Sequence, residues 1–366
     1  MKIKNVKIIN YNNIIDCADI YIKDHKIQKI IPNQNQAKYI AVPGFIDTHI
    51  HGFYNYDVME GSDAVSAISK KLAQHGTTAF MPTLMTNQWQ NILDVLDDVS
   101  KNAKYVSRNL GLHLEGPFIA NAKKGAHKFE YLKKPTVSDI EQLINASQNT
   151  LRKISFDPDV VDIEVFKQMQ KHNIIGSIGH SATDFETASI FFDNGCKSVC
   201  HLWNAMSGID SRNPGLLQAA LMNENTYVEM IFDLFHICKQ SIWFTIKNKG
   251  FDKIIAVSDA IKPAYYKDGE NISGDIPVIK DGLKITLKDS NTIAGSGISI
   301  HDAFKNLLSI NVNSCDVVKM TSYNAAKYLG LNKKLGKIRI GYLADIVLMD
   351  YNWNIKSVYI DGKKVN

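Results

Sequence analysis

Between residues 45 and 257, eight short apolar runs alternate with stretches of helical character, and this alternation constrains the fold more than any other feature of the chain. The strand-like runs are Phe45–Ile50, Thr77–Met81, Leu110–Leu114, Lys153–Phe156, Ile174–Ile178, Ser198–Cys200, Tyr227–Ile231 and Lys253–Val257. Helical stretches separate them, among them Asp63–His75, Gln88–Asn102, Ile163–His172, Phe185–Asn194 and Lys239–Lys249. Gly76, Gly195 and Gly250 follow three of these directly, and a glycine past the last turn is the usual helix stop. Eight strand–helix units in one domain predict an α/β fold, a (β/α)8 TIM-like barrel.

The two ends of the chain read differently. Residues 1–42 contain short alternating stretches (Val6-Lys7-Ile8-Ile9, Ile20-Tyr21-Ile22-Lys23) broken by Asn12-Asn13 and Asp24-His25. The C-terminal end offers three more short strands, Gly336–Gly341, Ala344–Asp350 and Ser357–Gly362. Residues 1–42 and 335–366 are expected to pair into one small β-sandwich, leaving 43–334 to the barrel. Hairpin signals at Lys267-Asp268-Gly269 and Lys280-Asp281-Gly282 mark an insertion over about 262–292.

Composition excludes several classes. The net charge of +5 comes from scattered lysines without a basic block, so no nucleic-acid partner is expected. Arginine is confined to Arg108, Arg152, Arg212 and Arg339, which gives weight to any arginine in a functional loop. The five cysteines (17, 196, 200, 238 and 315) are scattered without CxxC spacing, which argues for a reducing compartment and for small buried hydrophobes. No signal-peptide pattern or membrane-length apolar run is evident. A soluble cytoplasmic protein without a membrane partner is the expectation.

Barrels of this kind carry their active sites at the C-terminal ends of the strands. The expected strand ends place there His49 and His51, Glu115, His180, His201, Asp233 with His236, and Asp259. His49 and His51 are two apart on a strand, so they face the same way and can grip one ion. Glu115, His180 and His201 supply one carboxylate and two imidazoles, the open set of catalytic zinc sites. An ion held so makes its water acidic enough to attack near neutral pH. Asp259 suits a general base that then protonates a leaving group. His127 and His236, in loops, suit polarising a carbonyl or binding an anion. Any one of these could be a polar residue where a strand meets solvent. Their joint occurrence points to a metal-dependent hydrolase.

The motifs that carry these residues run through nearly the whole chain. They include Pro43-Gly44-Phe45-Ile46-Asp47, His113-Leu114-Glu115-Gly116-Pro117-Phe118, Lys123-Lys124-Gly125-Ala126-His127, Gly179-His180-Ser181, His201-Leu202-Trp203-Asn204-Ala205-Met206, Ser258-Asp259-Ala260, Ile293-Ala294-Gly295-Ser296 and Gly341-Tyr342-Leu343-Ala344-Asp345. In this order they resemble the N-acetylglucosamine-6-phosphate deacetylases of the amidohydrolase superfamily. The resemblance implies hydrolysis of the N-acetyl group of N-acetylglucosamine 6-phosphate, in amino-sugar catabolism and cell-wall sugar recycling. It implies Glu115, His180 and His201 as metal ligands, Asp259 as catalytic acid/base, and His127 as the group that polarises the acetamide carbonyl. Asn204, Ala205, Arg212 and His236 would contact the sugar phosphate, the first two through backbone N–H groups, with Ile293 and Ala294 also lining the substrate site. Arg212 matches a position that reaches into a neighbouring subunit in some relatives, which implies a homodimer. Some relatives lack the first histidine of the His49/His51 pair. Its presence here implies a second divalent ion, with Glu115 bridging the two; Zn, Fe, Mn, Co and Ni all accept such ligands.

Three departures bear on substrate preference, glucosamine against galactosamine. Leu234 stands where the family usually has Gly, Phe53-Tyr54-Asn55-Tyr56-Asp57 replaces a Gly-rich turn, and Asp157-Pro158-Asp159 replaces Ala-Pro-Glu. Two rivals compete. A dihydroorotase-like amidase sharing a modified lysine needs Lys at the end of the fourth strand, where Lys153 lies too early. A catalytically silent sugar-phosphate sensor would be expected to have lost a ligand or the base, and none is lost.

Overall fold

All eight expected runs form parallel strands of one sheet in the computed structural model, which describes residues 1–365. We label them β1 (Phe45–Ile50), β2 (Thr77–Met85), β3 (Leu112–Glu115), β4 (Leu151–Phe156), β5 (Ile175–Ile178), β6 (Ser198–Val199), β7 (Tyr227–Ile231) and β8 (Ile254–Val257). Each pairs with the next in order from β1 to β8. The seam between β1 and β8 is closed past the strand ends: Ile50 bridges Ala260, and the Asp259 N–H donates to His49 O at 2.9 Å. Asp47 staples this seam, its carboxylate accepting Ser258 Oγ–H at 2.6 Å and Ser258 N–H at 3.2 Å. The (β/α)8 barrel is therefore present.

The expected helices are present with ends shifted by a residue or so, for example Trp89–Asn102 and Phe185–Asp193. In Trp89–Asn102 the buried residues are Ile92, Val95, Leu96 and Val99, a stripe at helical spacing that faces the sheet. Helices Val137–Ala146, Leu216–Met222 and Ile300–Ser309 complete the outer ring. Two of these begin with reciprocal side-chain caps, Thr136 with Asp139 and Ser299 with Asp302.

Both chain ends join one seven-stranded sheet. It packs a separate apolar core that includes Val6, Ile8, Ile20, Ile27, Ile338, Ile346 and Leu348. The final residue of the span 335–366 lies outside the described residues. One expectation fails here: Gly336–Gly341 is a loop, not a strand. Gly336 and Gly341 have φ of +79° and +87°, which break an extended run. Ile338 docks instead through the Asn10 side chain, which accepts its N–H at 2.8 Å and donates to its carbonyl at 3.1 Å. The insertion is a three-stranded antiparallel sheet (Gly269–Ser273, Ile276–Asp281, Lys284–Leu287). Its small core of Ile261, Val278, Ile285 and Ala294 seats it beside the barrel mouth.

The barrel interior is polar beneath that mouth. Thr48, His113, Lys153, Ser155 and Glu229 are all fully buried. Lys153 Nζ donates to both carboxylate oxygens of Glu229 at 2.5 and 2.6 Å and to Thr48 O at 3.4 Å. Every charged group in this layer is thus paired, as burial requires.

Candidate metal centre and active site

Glu115, at the end of β3, is the hub of the barrel mouth. Its two oxygens face different imidazole pairs. Oε1 lies 3.0 Å from His201 Nε2 and 3.3 Å from His180 Nε2, and those two nitrogens are 3.1 Å apart. Oε2 lies 3.0 Å from His51 Nε2 and 3.4 Å from His49 Nε2, which are themselves 3.0 Å apart. Asp259 Oδ1 is 3.4 Å from both His49 and His51. His127 Nε2 stands 3.7 Å from Glu115 Oε2.

Local backbone conformation aims these groups. His180, His201 and Asp259 follow the ends of β5, β6 and β8 with φ of +49°, +25° and +50°. Three non-glycine residues in that region at one strand-end rim mark backbone held in a costly form where function demands it.

The hydrogen bonds of the cluster leave lone pairs facing lone pairs. His51 Nδ1–H donates to Thr83 O at 3.1 Å and His180 Nδ1–H donates to Lys123 O at 2.8 Å. Both rings therefore present a bare Nε2. Among the described residues, His51 Nε2 then meets His49, Glu115 and Asp259; His180 Nε2 meets Glu115 and His201. Such donor sets fit divalent cations of the Zn, Fe, Mn, Co and Ni group. Without a cation the carboxylates call for protons. Burial disfavours charge on His51, yet Asp259 and Glu115 beside it lift its pKa to about 9. Burial likewise opposes the Glu115 charge, but His49, His180 and His201 hold that carboxyl well below its usual range.

The cluster forms the floor of a cavity of about 450 Å³. Its walls include His127, His236, Asn204 and Ala205, with Ile276, Val278, Ile293 and Ala294 from the insertion and the loop after it. His127 is buried, its Nδ1 2.7 Å from Thr86 Oγ1. Burial, with the neighbouring His180 ring adding to it, keeps that ring well below the usual histidine pKa and hence neutral.

The family model for the amidohydrolase family matches residues 40–365. The chain belongs to the amidohydrolase family. It is 30% identical to an N-acetylglucosamine-6-phosphate deacetylase of Vibrio furnissii over 88% of this chain and 82% of that one. It is 27% identical to an N-acetylgalactosamine-6-phosphate deacetylase of Escherichia coli O157:H7, over 98% of this chain and 97% of the relative. Among solved structures, the N-acetylglucosamine-6-phosphate deacetylase of Thermotoga maritima superposes with a TM-score of 0.91, at 28% identity, over 100% of this chain and 99% of that one.

Within this amidohydrolase, most residues singled out from the sequence converge on one cavity. Two of the expected sugar-phosphate contacts need a closer description. The backbone N–H of Asn204 donates to His201 O at 3.1 Å, so it is spent inside its own loop, whereas the Ala205 N–H has no partner among the described residues. Arg212 does not line the cavity; it is exposed, and Asp210 Oδ1 accepts its backbone N–H at 2.8 Å. Lys153 lies inside the barrel on Glu229, away from the rim, which removes the shared-lysine rival. Sequence reasoning missed Thr83, Thr86 and the Lys123 carbonyl, which orient the rings. It also missed Cys200, read as a buried hydrophobe; Cys238 proves exposed.

Proposed function

We propose that this amidohydrolase removes the N-acetyl group of N-acetylglucosamine 6-phosphate, yielding glucosamine 6-phosphate and acetate. The observation that carries the reading is Glu115 set between two imidazole pairs, with Asp259 beside one pair and His127 over the same carboxylate. Similarity to deacetylases of amino-sugar phosphates supplies the substrate class.

Glu115, His180 and His201 would hold one divalent ion, and His49 and His51, on the other oxygen of Glu115, would hold a second. Such ions supply Lewis-acid polarisation of a carbonyl and an acidified water. The chain's own residues do the rest. Asp259 takes the proton of the attacking water and returns it to the departing amine. His127 donates to the oxyanion that grows on the acetyl carbonyl. That role needs the proton on Nε2, the tautomer present when the Thr86 hydroxyl donates to Nδ1. His236 and the Ala205 N–H receive the phosphorylated sugar, while the insertion closes one wall against water. Arg212, remote from its own chain's cavity, serves the phosphate of a neighbouring subunit in a homodimer. A guanidinium offers phosphate paired hydrogen bonds that lysine cannot.

Acetate release from N-acetylglucosamine 6-phosphate, with divalent metal supplied, tests the reading. Turnover in the wild type, with loss of about 10²–10⁴-fold in kcat and little change in binding for Asp259→Asn, is expected. Tight substrate binding without acetate would instead assign a sensor. The E. coli relative makes the galactosamine epimer the competing substrate, and kcat/KM for the two epimers decides between them.

A further inference from the structure

Cys200 has no role in the reaction as drawn, yet it sits under the cluster. It is fully buried directly after β6, next to His201. Its Sγ lies 3.3 Å from His49 Nδ1 and 3.7 Å from Glu115 Oε1, and receives Ser155 Oγ–H at 3.4 Å. Among the described residues no other group bonds to His49 Nδ1. Glu229 Oε2 is 4.0 Å from it, and the Glu229 carboxylate is already committed to Lys153 and Thr48.

This sets His49 apart from its neighbours. His51 and His180 are fixed by backbone carbonyls, acceptors that no side-chain substitution removes. His49 depends on a side-chain sulfur. Partners on the far nitrogen of a ligating imidazole fix its tautomer and orientation, and so its hold on the ion.

We propose that Cys200 is the positioning residue that makes His49 a ligand: by accepting Nδ1–H, its sulfur keeps Nε2 bare and aimed at Glu115 Oε2. The long C–S bond lets one atom reach His49 and Glu115 together. A serine hydroxyl, on a shorter bond, would reach them less well. Cys200 thus acts first on the His49/His51 ion, and less on the His180/His201 ion, which it meets through Glu115 Oε1 and the adjacent His201. The inference rests on the two-ion reading above.

The test is a cobalt(II) titration of the metal-stripped full-length chain, comparing wild type, Cys200→Ala and Cys200→Ser, with circular-dichroism melting to confirm folding. Wild type is expected to bind two ions. Cys200→Ala is expected to weaken one of them by about 10–100-fold and the other by clearly less. Cys200→Ser weakens the same ion by less, and it carries the test should the alanine variant not fold. Two ions of unchanged affinity in both variants would overturn the role of Cys200 and leave the two-ion reading standing. One ion in the wild type would sink that reading, and this role with it. Equal weakening of both ions would reduce the sulfur to a packing group. A sulfur-to-cobalt charge-transfer band in the wild type would make Cys200 a direct ligand and also overturn the proposal.

Discussion

Asp233 fixes His236 through three hydrogen bonds. Its Oδ2 accepts Nδ1–H of the ring at 2.7 Å, and its Oδ1 accepts the backbone N–H groups of Phe235 and His236 at 2.9 Å each. The ring's remaining nitrogen, Nε2, is left for the cavity that His236 lines. Bonds to a charged acceptor contribute about 1.5–3 kcal/mol. Asp233→Ala should therefore raise KM for the phosphorylated sugar by about tenfold or more, with kcat little changed. His236→Ala should do the same, and the double variant should be no worse than the poorer single one. Steady-state kinetics check this, with unphosphorylated N-acetylglucosamine as control. An equal loss on both sugars would remove His236 from phosphate recognition.

Lys153 and Glu229 form an ion pair with no solvent exposure, inside the barrel. Removing one member strands a buried charge, at a cost of about 3–5 kcal/mol. Lys153→Met and Glu229→Gln should each lower the melting temperature markedly. Lys153→Met combined with Glu229→Leu should recover much of the loss, since an apolar pair of similar volume is often neutral. Thermal melts of the three variants decide; a double variant as unstable as the sum of the singles would show that the pair holds the fold by more than mutual charge compensation.

Asp345 offers a pH test away from the catalytic cluster. Burial pushes its carboxyl up to about 6 from the ordinary 3.8, against the pull of Arg108 and the Asp361 N–H; the Asp361 carboxylate adds to the rise. A raised native pKa means the folded chain keeps a proton that the unfolded chain has released. Its contribution to stability is full below pH ~4 and is lost as pH rises through about 6. Asp345→Asn removes this dependence. The stability difference between variant and wild type should move in favour of the variant between pH 4 and 6, by on the order of 3 kcal/mol. Melting curves that stay parallel across that range would contradict it.

What the sequence made legible depended on locality. Strand runs are contiguous, and a His, Glu or Asp at the end of most of them can be read without knowing its partner. Cys200 could not be read this way, because its partners His49 and Glu115 come from other strands and only barrel closure brings them together. The segment Gly336–Gly341 misled because alternation survives in a loop when one buried Ile is anchored by a side chain, here Asn10. Arg212 reads as functional from its rarity, but its own chain gives it no cavity to serve. Asn204 shows that a motif can be read for its loop without revealing that its own N–H already bonds within the turn.

Leu234 replaces a residue expected to be glycine, and the structure shows what it costs. It sits between Asp233 and His236 with φ of +67°, half exposed, so the loop keeps a left-handed turn with a side chain that disfavours it. The strain is about 1–2 kcal/mol for a residue with a Cβ. Glycine would relieve it but loses about 0.4–1 kcal/mol through greater freedom of the unfolded chain. Leu234→Gly should thus be neutral to stabilising by about 1 kcal/mol, with KM for the phosphorylated sugar unchanged. Leu234→Val, branched at Cβ, should destabilise and raise KM, because the turn that aims His236 would open. Paired melts and kinetics on the two variants check this. A Val variant as active and stable as the wild type would show that His236 is held by Asp233 alone.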